Sequence, residues 1–153
     1  MIHPTAAAGF SLGAAAYERG RPGYPAEAIG WLAEQLGLRA GRTVLDLAAG
    51  TGKLTRALVE TGAEVVAVEP VDEMRAQLEA AVPAARALAG TAEEIPLADG
   101  AVDAVTVAQA FHWFDRDAAF TEIHRACWGR AARSRSSGTC ATSPTRSRPR
   151  SRS

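Results

Sequence analysis

The chain has 153 residues, 47% of them apolar, 22% charged and 6% aromatic, and its basic and acidic side chains balance to zero net charge. That length suits one globular domain, and the composition excludes collagen-like, disulfide-rich and wholly disordered classes. No run of about 18 apolar residues is present to form a membrane-spanning helix, and the opening MIHPTAAAGF has neither the basic segment nor the leucine-rich core of a secretory signal.

The neutral total conceals a division. Residues 1–125 carry all 17 acidic side chains but only ten of the 17 basic ones. Residues 126–153 carry seven Arg, no acid, seven of the eight Ser and both cysteines. The acidic part has no cysteine and hence no disulfide framework, which fits a reducing cytoplasm. The basic part has no apolar periodicity and cannot bury enough surface to offset its ordering entropy, so it reads as a disordered tail. No metal site is expected.

In chain order, Pro25 suits the first turn of a helix whose apolar face is Ile29, Leu32 and Leu36 and which Gly37 stops. A strand over residues 43–47 follows, largely apolar with Asp46 near its end. Gly50 and Gly52 then turn the chain into a helix over 54–60, with Gly62 as its C-cap. A second strand, 64–68, closes on Glu69 and Pro70. Asp72 is placed to cap a helix carrying Met74, Leu78 and Val82, which Pro83 ends. A weaker strand over 86–89 and a fourth over 102–108 precede a last helix, capped by Asp115, with Phe120 and Ile123 on its apolar face. This alternation predicts an α/β fold, a parallel sheet covered by helices on both faces. Right-handed crossovers put the carboxyl ends of the strands on one edge, where such sheets bind ligands.

The most informative stretch is VLDLAAGTGKLT, residues 44–55. A strand ends near Asp46, and Gly50 and Gly52 sit where the backbone must turn and can approach a ligand closely. Nineteen residues after Gly50, Glu69 ends the second strand, placed to accept hydrogen bonds from both hydroxyls of a ribose. A glycine-rich turn alone would mean no more than a helix entry; two acids at successive strand ends make it a nucleoside site. A pyrophosphate would want a third glycine where Thr55 stands, and the acids around the turn suit a cationic ligand better.

VLDLAAGTGKLT, AVEPVDEM, GTAEEIPLADGAVDAV and AQAFHWF, in this order and spacing, resemble class I S-adenosylmethionine-dependent methyltransferases, closest to the small-molecule group that includes trans-aconitate-type enzymes. The likeness covers residues 14–125, with 1–13 as a flexible N-terminus and 126–153 as the Ser/Arg-rich tail. It implies a Rossmann-like doubly wound parallel sheet of strand order 3-2-1-4, truncated after the fourth strand, with S-adenosyl-L-methionine as cofactor and a small-molecule methyl acceptor as partner. Asp46, Ala48, Gly50 and Gly52 match the motif that wraps the methionine part of the cofactor, Ala48 standing where many relatives have glycine. Glu69 matches the ribose acid and Met74 the residue that packs on the adenine. Thr91, Ala92 and Glu93 match the loop bordering the adenine edge, with Thr91 where many relatives have an Asp. Gln109 ends the fourth strand beside the cofactor. YERGRPGYP resembles a segment that closes over it, giving Arg21 to the cofactor carboxylate and Tyr17 to a nearby hydrogen bond.

Methyl transfer to a heteroatom is a single displacement, so positioning and exclusion of water carry much of it, and a base is needed only where the acceptor must lose a proton. His112 is the titratable group best placed for that, and Trp113 could wall the acceptor pocket. A plainer alternative is that His112 caps a turn and Phe111, Trp113 and Phe114 pack together. A nucleic-acid-binding protein using its Arg-rich tail is the rival function, but the basic charge is confined to the tail while the body is acidic. The tail also reads as an out-of-frame translation. In the neighbouring frame, the bases joining Trp128 to Gly129 encode Gly, and the codons beyond permit a Pro-Gly-Gly-type turn and an apolar strand. On that reading this chain should turn over poorly.

Overall fold

The structure, a computed structural model, describes residues 23–108 and 113–129. The first helix, α1 (Ala26–Leu36), begins after Pro25 and ends at Gly37, whose φ of 63° is the left-handed conformation that lets its N–H reach back to the last turn. It is followed by β1 (Thr43–Leu47), α2 (Lys53–Val59), β2 (Glu64–Val68), α3 (Asp72–Ala81), β3 (Arg86–Leu88), β4 (Ala104–Val107) and α4 (Arg116–Trp128).

The four strands form one sheet in the order β3-β2-β1-β4. All three pairings are parallel, with Leu47 opposite both Val68 and Val107, and Val68 opposite Leu88. The expected fold class and strand order are both present. The carboxyl ends of all four strands therefore lie on one edge, and residues 48, 69, 89 and 108 begin the loops that leave it.

Alternation along the strands builds two apolar layers, because successive side chains point to opposite faces. Val44, Val65 and Ala104 pack with Leu36 and Leu38 and with Leu54 and Leu58 of α2. Leu45, Leu47, Val66, Val68 and Val105 pack with Ala119, Ile123 and Ala126 of α4 and with Ala92 and Ile95 of the β3–β4 loop. Both faces of the sheet are covered, which is why its strands read as nearly continuous apolar runs.

Four expectations need correction. Asp72 does not cap α3: it is the first helical residue, and its carboxylate pairs with Arg75 one turn on, while Val71 holds the cap position. The helix after the glycine turn ends at Val59, one residue early. Phe120 is not on the buried face of α4; it is 46% exposed, and the face is Ala119, Ile123 and Ala126. Finally, α4 runs on through Trp128, and Ala126 is fully buried, so the boundary expected after residue 125 falls inside a packed helix. Asp115 caps α4 as expected, accepting from the Ala118 N–H at 3.2 Å. The rest of the basic tail lies outside the described residues. Among the described residues no helix is long and apolar enough to cross a membrane.

Candidate functional site

Leu47 is the last residue of β1, and the chain must then turn sharply to enter α2. Ala48 takes a φ of 56°, the one described non-glycine residue in the left-handed region, at a cost of about 1–2 kcal/mol for an L-residue. Gly50 at 61° and Gly52 at 90° take the same hand without that cost. The turn is tied to the sheet by Ala49 N–H donating to Val68 O at 3.1 Å.

Glu69 lies directly beyond β2, beside this turn, and is 4% exposed. Its Oε2 accepts from Gly50 N–H at 2.8 Å and its Oε1 from Val71 N–H at 2.9 Å. Its own N–H donates to Leu88 O at 3.0 Å, so three adjacent loops meet at this residue. Burial raises its carboxyl above the ordinary glutamate range, and the two backbone donors oppose that. A carboxylate offers about four lone-pair directions, and two backbone donors leave one on each oxygen. That remainder matches the two hydroxyls of a ribose.

Asp46 sits beneath the turn, 1% exposed. Its Oδ2 accepts from Thr55 Oγ1 at 2.7 Å and its Oδ1 from Thr106 Oγ1 at 3.2 Å. Burial pushes its carboxyl up to about 6, opposed by both hydroxyls and reinforced by the nearby charge of Glu69. The sequence reading missed both threonines. Thr55 occupies the position where a dinucleotide site would have its third glycine, and its hydroxyl serves Asp46. The available signal was the polar Thr106 in the otherwise apolar strand Ala104–Val107.

Gly52 has a role of its own: a Cβ there would lie 2.9 Å from Leu78 Cγ and 3.3 Å from Val82 Cγ2. The glycine lets the start of α2 press against α3. Met74 is buried on the first turn of α3. Thr91, Ala92 and Glu93 follow β3 on the same edge of the sheet; Thr91 Oγ1 accepts from Glu94 N–H at 3.2 Å, and Glu93 Oε1 accepts from Asp115 N–H at 2.9 Å. The structure thus brings Asp46, Ala48, Gly50, Gly52, Glu69 and the 91–93 segment to one edge. Trp113 opens the described stretch before α4 and is 39% exposed. Tyr17, Arg21, Gln109 and His112 lie outside the described residues. Among the described residues no cluster of metal-ligating side chains is found.

A parallel sheet of this order, with a glycine turn after its first strand and a buried acid after its second, is the Rossmann-like frame of a class I methyltransferase. The chain belongs to the methyltransferase domain family, which matches residues 45–128. It is 59% identical over 116 residues to an uncharacterized methyltransferase of Mycobacterium tuberculosis, a match covering 76% of this chain and 46% of that one. It is 42% identical over 74 residues to a demethylmenaquinone methyltransferase of Beutenbergia cavernae, covering 48% and 31%. Among solved structures, a SAM-dependent methyltransferase from Aquifex aeolicus superposes with a TM-score of 0.59 at 25% identity, covering 64% of this chain and 57% of that one. The chain spans about half the length of the curated relatives it matches. The family's cofactor is S-adenosylmethionine, and the two remaining acceptor directions on Glu69 fit its ribose.

Proposed function

We propose that this chain carries the cofactor-binding part of an S-adenosylmethionine-dependent methyltransferase acting on a small-molecule acceptor. The observation that carries the proposal is Glu69, a buried carboxylate held by the N–H groups of Gly50 and Val71 at the carboxyl edge of the sheet. Support for a small acceptor comes from the relative named a demethylmenaquinone methyltransferase. The nucleic-acid reading of the Arg-rich tail is set aside in favour of this one.

When bound, S-adenosylmethionine supplies an electrophilic methyl group on a sulfonium sulfur. Glu69 orients the nucleoside through its ribose hydroxyls, and the backbone of the Gly50 turn lets the methionine part approach closely. Asp46, tied to Thr55 and Thr106, holds the turn in shape from below. Met74 and the 91–93 segment border the adenine. By the family resemblance Arg21 would pair with the cofactor carboxylate, with Tyr17 supplying a hydrogen bond nearby and Gln109 a cofactor contact. The connection from Val107 to Trp113 leaves the same sheet edge. His112, within it, accepts a proton from the acceptor where one must be lost, and Trp113 walls the acceptor pocket. Because the displacement needs no covalent intermediate, alignment and exclusion of water are the protein's main contributions.

Glu69→Ala should weaken binding of S-adenosylmethionine by on the order of 1–3 kcal/mol, since it removes two ribose hydrogen bonds and frees two buried N–H groups. Isothermal calorimetry reads this directly. An affinity equal to that of the unaltered chain would remove Glu69 from the site.

A further inference from the structure

The segment joining β3 to β4 spans residues 89–103 without a helix or strand, yet it must supply one wall of the site. Ordering so long a connection is entropically expensive, so what holds it decides the shape of that wall. Apart from its apolar anchors and backbone bonds at its ends, its middle is held mainly by one side chain and the glutamate paired with it. Arg125, near the end of α4, spends every donor it has. Its Nη1 donates to Leu97 O at 2.7 Å and to Asp99 Oδ1 at 3.0 Å. Its Nη2 donates to Ile95 O and to Glu122 Oε2, both at 2.9 Å, and its Nε to Glu122 Oε1 at 2.8 Å.

A guanidinium has five N–H donors in a fixed plane, and all five are used. Glu122 completes the arrangement, because its Oε2 also accepts from Ile95 N–H at 2.8 Å. The pair therefore grips both polar groups of the Ile95 backbone and the carbonyl of Leu97.

Between those two residues stands Pro96, and its ring carries the grip to the site. A Cβ at Gly90 would lie 2.7 Å from Pro96 Cδ and 3.2 Å from Val68 Cγ1. Pro96 is thus pressed onto Gly90, directly before Thr91, and Gly90 onto Val68, directly before Glu69. At the other end of α4, Asp115 N–H donates to Glu93. Both ends of one helix are fastened to the segment that follows β3.

We propose that Arg125, with Glu122, is a positioning residue for the adenine side of the cofactor pocket, acting through Ile95, Pro96 and Gly90 to fix Thr91, Ala92 and Glu93. This rests on the reading of the site as an S-adenosylmethionine pocket. Neither side chain touches the ligand. What the pair sets is the preorganisation of a wall, and hence how sharply that wall distinguishes one purine edge from another.

The test uses the full 153-residue chain and two ligands, S-adenosylhomocysteine and its hypoxanthine counterpart, titrated calorimetrically. Arg125→Lys keeps the charge but cannot span five acceptors in a plane. It should weaken the adenine ligand roughly tenfold and narrow the preference for adenine over hypoxanthine. Glu122→Gln should move both quantities in the same direction by less, and it carries the test if Arg125→Lys does not fold. A merely structural role would lower the unfolding temperature and leave the preference as it was, and that result overturns the proposal. So does an unaltered chain that binds both ligands equally. If the unaltered chain binds neither ligand, the pocket reading falls and the clamp with it. If it binds with a clear preference that both variants retain, the clamp alone falls.

Discussion

Asp46 shows how much a single buried carboxylate can impose. Two threonine hydroxyls and a neighbouring acid surround it, and burial still dominates, lifting its carboxyl to about 6. Below about pH 4 the group is protonated in both folded and unfolded chains. Between about pH 4 and 6 only the folded state keeps the proton, so stability is lost as pH rises through that window. The loss from this residue is on the order of 3 kcal/mol. Asp46→Asn should remove most of that slope while keeping an acceptor for Thr55. Burial raises Glu69 in the same direction while Glu93 and Glu122 are lowered and act in the opposite one, so the contribution of Asp46 is read from the difference between the two chains. Thermal unfolding from pH 4 to pH 7 compares the two chains, and parallel profiles would show that Asp46 does not titrate in this range. Asp46 was visible in the sequence as the one charged residue of its strand. Its depth was not, because that depends on Thr106, sixty residues away in the chain.

At the scale of elements, the turn from β1 into α2 depends on close approach as well as on backbone hand. Gly52 and Gly41 have similar φ values, 90° and 85°, but only Gly52 has a neighbour within reach of an added methyl. Gly41→Ala therefore measures the conformational cost alone, about 1–2 kcal/mol. Gly52→Ala adds overpacking against Leu78, which is fully buried, for a total of about 2–5 kcal/mol. Urea unfolding of both variants separates the two costs; equal losses would mean that α3 gives way without penalty. The sequence marked Gly52 as part of a break between elements. It could not tell a glycine needed for its φ from one needed for its missing side chain, since the second depends on where α3 packs. The exposure of Phe120 has the same origin: α4 turns its Ala119, Ile123 and Ala126 stripe to the sheet and leaves the ring outside.

For the whole molecule, the site is a meeting of four strand ends, so binding there should be felt by the entire sheet. S-adenosylhomocysteine at 100 times its dissociation constant should add about 2.7 kcal/mol of stability. For a domain of this size that raises Tm by on the order of 10 °C. Glu69→Ala, weaker by on the order of 1–3 kcal/mol, should lose from about a third to nearly all of the shift at the same ligand concentration. Differential scanning fluorimetry is sufficient, and a folded chain whose Tm ignores the ligand would remove the cofactor from this fold.

While the strand order came with the resemblance to class I methyltransferases, the sequence by itself determined the alternation of strands and helices and the edge on which Gly50 and Glu69 meet. These follow from period-two and period-3.6 patterning, from glycine and proline punctuation, and from the handedness of crossovers, all of which are local or nearly so. Only the tertiary structure decided that Thr55 and Thr106 close around Asp46, that Gly52 makes room for Leu78, and that Arg125 gives three of its five donors to the segment after β3. The physical reason is common to the three. Each is a hydrogen bond or a contact between residues distant in sequence, and its distance is set by how the packed layers settle, which no periodicity encodes.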